Sequence, residues 1–115
     1  MMLEMKRVIL FVRDMDVVGT FYREVLGLPV KNAVDEADWL EFDTGACTLA
    51  LHSGGGPKQS RQSPKIVFAS TNVGLVRKEL IKRGAQLTPV RAFGELEFCD
   101  GKDPEGNVFQ ISNRK

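Results

Sequence analysis

Histidine is scarce in this chain: His52 is the only one among 115 residues. A lone imidazole acting as general base or metal ligand needs partners, and Glu41, Glu97 and Cys99 are the conceivable ones. Cysteine is nearly as rare, and Cys47 and Cys99 are far apart with no CxxC spacing, so they read as reduced thiols of an intracellular protein. Long apolar runs are missing too. The opening MMLEMKR is followed by only five consecutive apolar residues, VILFV, which is too short for a secretory signal or a membrane span. Neither charge sign dominates, with sixteen basic against fifteen acidic residues and a formal net charge of +1. That balance lacks the clustered Lys/Arg excess of a nucleic-acid footprint. The expected setting is the cytoplasm, with no nucleic acid and no membrane as partner.

What the chain does have is a repeat. VILFV at 8–12, a helical stretch closing on FYREVLGL, and short strands ending in TLALH form one unit. KIVFAS at 65–70, a helical stretch closing on LIKRGAQL, and strands ending in NVFQIS form a second. Two copies of one supersecondary unit within a chain of single-domain length should supply equivalent positions to one site. The spacing predicts strands over Arg7–Arg13, Leu28–Lys31, Trp39–Asp43 and Cys47–His52 in repeat one, residues 1–53. A linker follows over 54–64, SGGGPKQSRQSP continuing from Ser53, and its glycines lack the GK[ST] of a phosphate loop. Repeat two, 65–115, opens on Lys65–Ser70 and continues with Gln86–Val90, Glu95–Cys99 and Asn107–Ser112. Helices are expected from Asp16 to Gly27, with Val17, Val18, Phe21 and Val25 buried, and from a cap at Asn72 to Gly84. The fold class is therefore α+β, two β-α-β-β-β repeats.

Side chains alternate across a strand, so parity assigns faces. Val8, Leu10, Val12, Leu49, Leu51, Leu40 and Phe42 should lie under the first helix, and Leu96 and Phe98 under the second. The mixed faces then carry Arg7, Ile9, Phe11, Trp39, Glu41, Ala50 and His52 in the first repeat. In the second they carry Lys65, Glu95, Glu97, Cys99 and Gln110.

Three stretches taken together, VRDMDVVGTFYREVLGLPV, LEFDTGACTLALH and DPEGNVFQIS, resemble the vicinal oxygen chelate superfamily of glyoxalase I, extradiol dioxygenases, fosfomycin-resistance transferases and bleomycin-resistance proteins. The resemblance spans essentially the whole chain. It implies that each repeat curls into a half-barrel and that the two enclose a concave ligand cavity. It also implies a homodimer, the usual state of small members. Metal-dependent members hold a divalent ion with His and Glu from four strand positions. Carried over one by one, those positions are Arg7, seven residues before Asp14, then Lys65, Ala50 and Gln110. Arginine and protonated lysine do not coordinate cations, alanine has no donor, and Gln110 offers a neutral oxygen at best. No metal and no other cofactor is expected.

Arg7 and Lys65 admit two readings: an anion clamp assisted by Gln110, or internal ion pairs with Glu41, Glu95 or Glu97. Trp39 and Phe11 offer apolar walls to a ligand, and Trp39 serves equally as a packing residue. The expected ligand-binding set is Arg7, Lys65, Gln110, Trp39, Phe11, His52, Glu41 and Glu97, with no catalytic residue assigned. The functional expectation is a metal-independent small-molecule-binding protein, with a lyase, isomerase or transferase as the alternative. A module whose cavity is filled by Trp39, Phe11 and paired charges is the third reading.

Overall fold

The computed structural model describes residues 2, 5–31, 37–55 and 64–114, so most of the expected linker lies outside the described residues. Two compact units emerge, Met1–Lys58 and Gln59–Lys115. The fold is mixed α+β, with one small sheet and one principal helix in each unit.

In the first unit, β1 (Arg7–Val12), β2 (Trp39–Asp43) and β3 (Thr48–Ser53) form a sheet ordered β1-β3-β2. β3 is central, parallel to β1 and antiparallel to β2. Helix α1 (Met15–Thr20) runs into a π-helical turn, Phe21–Val25. Its cap is Asp14, whose carboxylate accepts the Val17 N–H at 3.0 Å, rather than the expected Asp16. Starting two residues early and widening into a π turn shifts the buried stripe. Val18, Phe21 and Tyr22 are buried while Val17 is 49% exposed, which corrects the expected face. Tyr22 lies 6.1 Å from Phe42, so the helix covers the sheet face that carries Leu10, Val12, Phe42, Leu49 and Leu51. Gly27, at φ 73°, ends the helix in a conformation open to glycine, as the sequence suggested.

The second unit repeats the plan. β4 (Ile66–Ala69), β5 (Arg91–Phe93), β6 (Leu96–Lys102) and β7 (Val108–Ser112) are ordered β4-β7-β6-β5, with α2 (Val73–Lys82) packed on β6 and β7. Asn72 caps α2 by accepting the Leu75 N–H at 3.1 Å, as expected. The expected second strand of each repeat is only a single bridge, Val30 to Phe42 and Leu87 to Gly101. In the second unit the strand beyond it, β5, forms later than expected and pairs with β6. Gly101 is required where it stands: a β-carbon there would come within 2.5 Å of Leu87 and 2.7 Å of Phe109.

The DPEGN segment closes the last turn from within. Asp103, 4% exposed, accepts the N–H groups of Glu105 and Asn107, each at 2.9 Å, and the Asn107 side-chain amide at 2.7 Å. The Asp103 N–H donates to the Asn107 carbonyl at 2.9 Å across the same turn. These charge-assisted bonds aim β7 into the sheet. Asp103→Ala should therefore lower unfolding stability by about 3 kcal/mol, because it strands buried N–H donors. Pro104→Ala, at an exposed position of the same turn, should change it little. Urea denaturation of both variants checks this, and equal midpoints would contradict the role given to Asp103.

Candidate functional site

The mixed face of the first sheet is fixed by the register of β3. Arg7, Thr48 and Asp43 form one row across the three strands, and Ile9, Ala50 and Glu41 form the next. Phe11, His52 and Trp39 form the third. Five expected site residues, Arg7, Phe11, Trp39, Glu41 and His52, thus stand on one surface. At its centre is Ala50, fully buried. Its methyl group leaves room for Arg7, on β1, to reach Glu41, on β2, across the intervening strand.

That reach makes an ion pair, with Arg7 Nη2 at 3.4 Å from Glu41 Oε2 and side chains 42% and 17% exposed. The guanidinium also lies over the indole, its carbon 5.9 Å from the Trp39 ring centroid. The Trp39 Nε1–H donates to the other Glu41 oxygen at 2.9 Å. This hydrogen bond, with the Arg7 and Lys31 cations, holds the Glu41 carboxyl below its ordinary range against the opposing cost of burial. Lys31 was not anticipated. The bridge at Val30 brings it beside β2, where its N–H donates to the Glu41 carbonyl at 2.8 Å and its ammonium donates to Thr48 Oγ1 at 2.7 Å.

His52 is set into an aromatic corner. Its ring centroid is 5.3 Å from Phe11 and 5.6 Å from Trp39, the latter edge-on. Nδ1 lies 2.7 Å from the Ser53 carbonyl oxygen, which can only accept. The tautomer assigned from that partner carries its proton on Nδ1, so in the neutral ring Nε2 is left as an acceptor. Nε2 has no protein partner among the described residues. Phe11 and Ile9 are 54% and 42% exposed.

The second sheet carries the counterpart. Val67, Gln110 and Asp100 form the row equivalent to Ile9, Ala50 and Glu41. Lys65 stands two residues before Val67, as Arg7 stands two before Ile9. Its ammonium pairs with Asp100 at 3.4 Å, and the Gln110 amide donates to the same carboxylate oxygen at 3.0 Å. Asp100 was missed and the glutamates were overvalued. β6 runs to Lys102 with Cys99 opposite Ile111, so Cys99 is fully buried on the helix face, and burial raises its thiol pKa. Alternation then puts Glu97 on the Cys99 side, away from Lys65 and Gln110, which corrects its place in the expected site. Leu96 and Phe98 fall on the mixed face instead, where Phe98 stacks on Phe93 at 6.1 Å.

The four strand positions marked as metal ligands by resemblance therefore hold an arginine, a lysine, an alanine and a glutamine, and both cations are paired to carboxylates. This donor set does not fit a divalent ion. Among the described residues no group of three His, Cys, Asp or Glu is arranged to hold one.

Trp39 is the only tryptophan, so its emission reports the state of Glu41. Because the Glu41 pKa is lowered, its ion pair contributes at neutral pH and is lost as pH falls through a folded value below 4.5. The emission should change with a midpoint under that value, and Glu41→Gln should abolish the step. A step unchanged in the variant would assign it to another group.

Comparison with known proteins supports one assignment. The family model described as Glyoxalase/Bleomycin resistance protein/Dioxygenase superfamily matches residues 4–111. Among solved structures, a glyoxalase family protein from Enterococcus faecalis is 19% identical, with TM-score 0.81 over 96% of this chain and 98% of that one. A glyoxalase/bleomycin resistance protein/dioxygenase family enzyme from Burkholderia phytofirmans PsJN is 21% identical, with TM-score 0.79 over 96% and 98%. Lactoylglutathione lyase from Agrobacterium tumefaciens is 16% identical, with TM-score 0.75 over 94% and 91%. At these identities the structures speak for the fold alone. A search of curated proteins finds no match. With the family model covering nearly the whole chain and the two repeated units beneath it, the chain belongs to the glyoxalase/bleomycin resistance protein/dioxygenase superfamily.

Proposed function

We propose that this chain is a metal-independent small-molecule-binding protein, in type like the bleomycin-resistance members of its superfamily. The observation that carries the reading is the pair of equivalent salt bridges, Arg7–Glu41 and Lys65–Asp100. Each places a cation where a metal-dependent member has a ligand, and each cation, though paired to a carboxylate, stays partly exposed on its surface. Beside the first lie Trp39, Phe11 and His52, the mixture of apolar walls and a few polar groups that ligand sites favour. On each surface the cation is the proposed polar anchor, Arg7 on the first and Lys65 with the Gln110 amide on the second, for a ligand that is neutral or anionic and partly aromatic.

A second reading is a metal-free lyase, isomerase or transferase, favoured by the open Nε2 lone pair of His52. Turnover of a glyoxal–thiol adduct by metal-stripped protein, lost in His52→Asn, would select it over simple binding.

The purified protein should contain well under one equivalent of zinc, nickel, manganese or iron. It should bind its ligand equally well with and without a chelator. Elemental analysis finding a stoichiometric metal, removed together with binding by chelation, would overturn the reading.

The cytoplasmic homodimer is part of the same proposal. The two cysteines are unpaired thiols, as a reducing compartment keeps them. β1 and β2 in the first sheet, and β4 and β5 in the second, are end strands, and such edges call for pairing or cover. Sedimentation equilibrium at micromolar concentration should give twice the 12.8 kDa chain mass, and a clean monomer refutes the dimer.

A further inference from the structure

Two solvent-facing hydrogen-bonding groups of opposite kind, each without a protein partner among the described residues, lie near the indole of Trp39. Arg7 spends one N–H on Glu41, and its remaining donors have no partner among the described residues. Its guanidinium carbon lies 5.9 Å from the indole centroid. His52 is anchored through Nδ1 and presents Nε2 as an acceptor, its ring centroid 5.6 Å from the same indole. Arginine donors match carboxylate oxygens in pairs, whereas a neutral imidazole nitrogen takes a hydrogen bond from an O–H or N–H. Phe11 and Ile9 extend the apolar surface between them, both partly exposed.

We infer that this surface selects a planar aromatic carboxylate that also carries a ring hydroxyl, with the carboxylate on Arg7, the ring against Trp39 and Phe11, and the hydroxyl donating to His52 Nε2. The inference rests on the small-molecule reading above and names its ligand class. Lys31 reinforces it. Its ammonium, held on Thr48, leaves two cations beside Glu41, so a ligand carboxylate can take up Arg7 donors without Glu41 being displaced. An aromatic amine or a fully apolar ring would leave one of the two open groups unanswered, and unanswered polar groups in a half-buried site cost affinity.

Specificity for the hydroxyl resides in His52, and affinity for the carboxylate in Arg7. Isothermal titration of the full chain, with chelator present, uses 3- and 4-hydroxybenzoate, the matching methoxybenzoates and benzoate. At least one hydroxybenzoate should bind about fivefold or more tightly than its methoxy counterpart, the worth of one such hydrogen bond. His52→Gln, whose amide oxygen reaches the Nε2 position, should keep part of that preference. His52→Asn, which reaches only the Nδ1 position, should lose it. Arg7→Gln should weaken all the benzoates together and leave the preference in place. Equal binding of hydroxy and methoxy forms, or a preference that survives in His52→Asn, overturns the assignment. If no benzoate binds while other fragments do, the ligand class is wrong and the small-molecule reading stands. If nothing binds until a divalent metal is added, both fall.

Discussion

The register of the central strand in each sheet is the constraint on which the rest depends. In the first unit β3 is bonded on both sides, so its alternation sets the facing of β1 and β2 at once. With Leu49 and Leu51 under the helix, Thr48, Ala50 and His52 must stand on the other side. A slip of one residue would drive His52 under the helix and pull Leu49 and Leu51 out from under it. That cost, several buried aliphatic side chains at roughly 2 kcal/mol each, is what holds Arg7, Glu41, Trp39 and His52 on one surface. β7 does the same for Lys65, Asp100 and Gln110, with Phe109 and Ile111 as its buried anchors.

The two units solve the same electrostatic problem with different residues. A long cationic side chain from the edge strand leans across the central strand to a carboxylate on the third. In the first unit the crossing passes a methyl group, and the carboxylate is completed by an indole N–H. In the second it passes Gln110, whose amide completes the carboxylate itself. The outcome is a fixed, oriented positive group on each surface. The second surface has the stacked Phe93 and Phe98, whereas the first, among the described residues, adds an indole under its cation and an imidazole nitrogen open beside it.

Much of this was legible from alternation and punctuation. The glycines closing both helices, the Asn72 cap and the facing of β1, β2, β3, β4 and β7 follow from local rules that tertiary packing did not override. β6 was misread because its Leu-Glu-Phe alternation suggests a greasy face under the helix. The buried face instead carries Cys99 and Gly101, with Leu87 and Phe109 against the glycine, and Phe98 stacks with Phe93 on the other side. The glycine at 101 was the signal, since a position without a side chain marks close approach of another element. Asp100 could have been found by laying the second repeat on Glu41. Lys31 was harder to place, because the strand expected over Leu28–Lys31 is reduced to a single bridge at Val30, and that bridge sets what Lys31 meets. The tautomer of His52 likewise depends on a backbone carbonyl that no spacing rule reveals.

The methyl group of Ala50 bears on how such a surface can diverge. While position 50 is small, the Arg7 guanidinium can lie across the sheet to Glu41. A carboxylate introduced at 50 alone would meet that guanidinium before it met any metal, and would become a second counter-ion. A histidine introduced at 7 alone would break the ion pair and leave Lys31 as the cation beside Glu41. Neither change alone assembles a metal site, so the two positions are coupled through the space above one β-carbon. Conversion between a metal-holding and a guanidinium-holding surface therefore calls for a concerted exchange at positions 7 and 50.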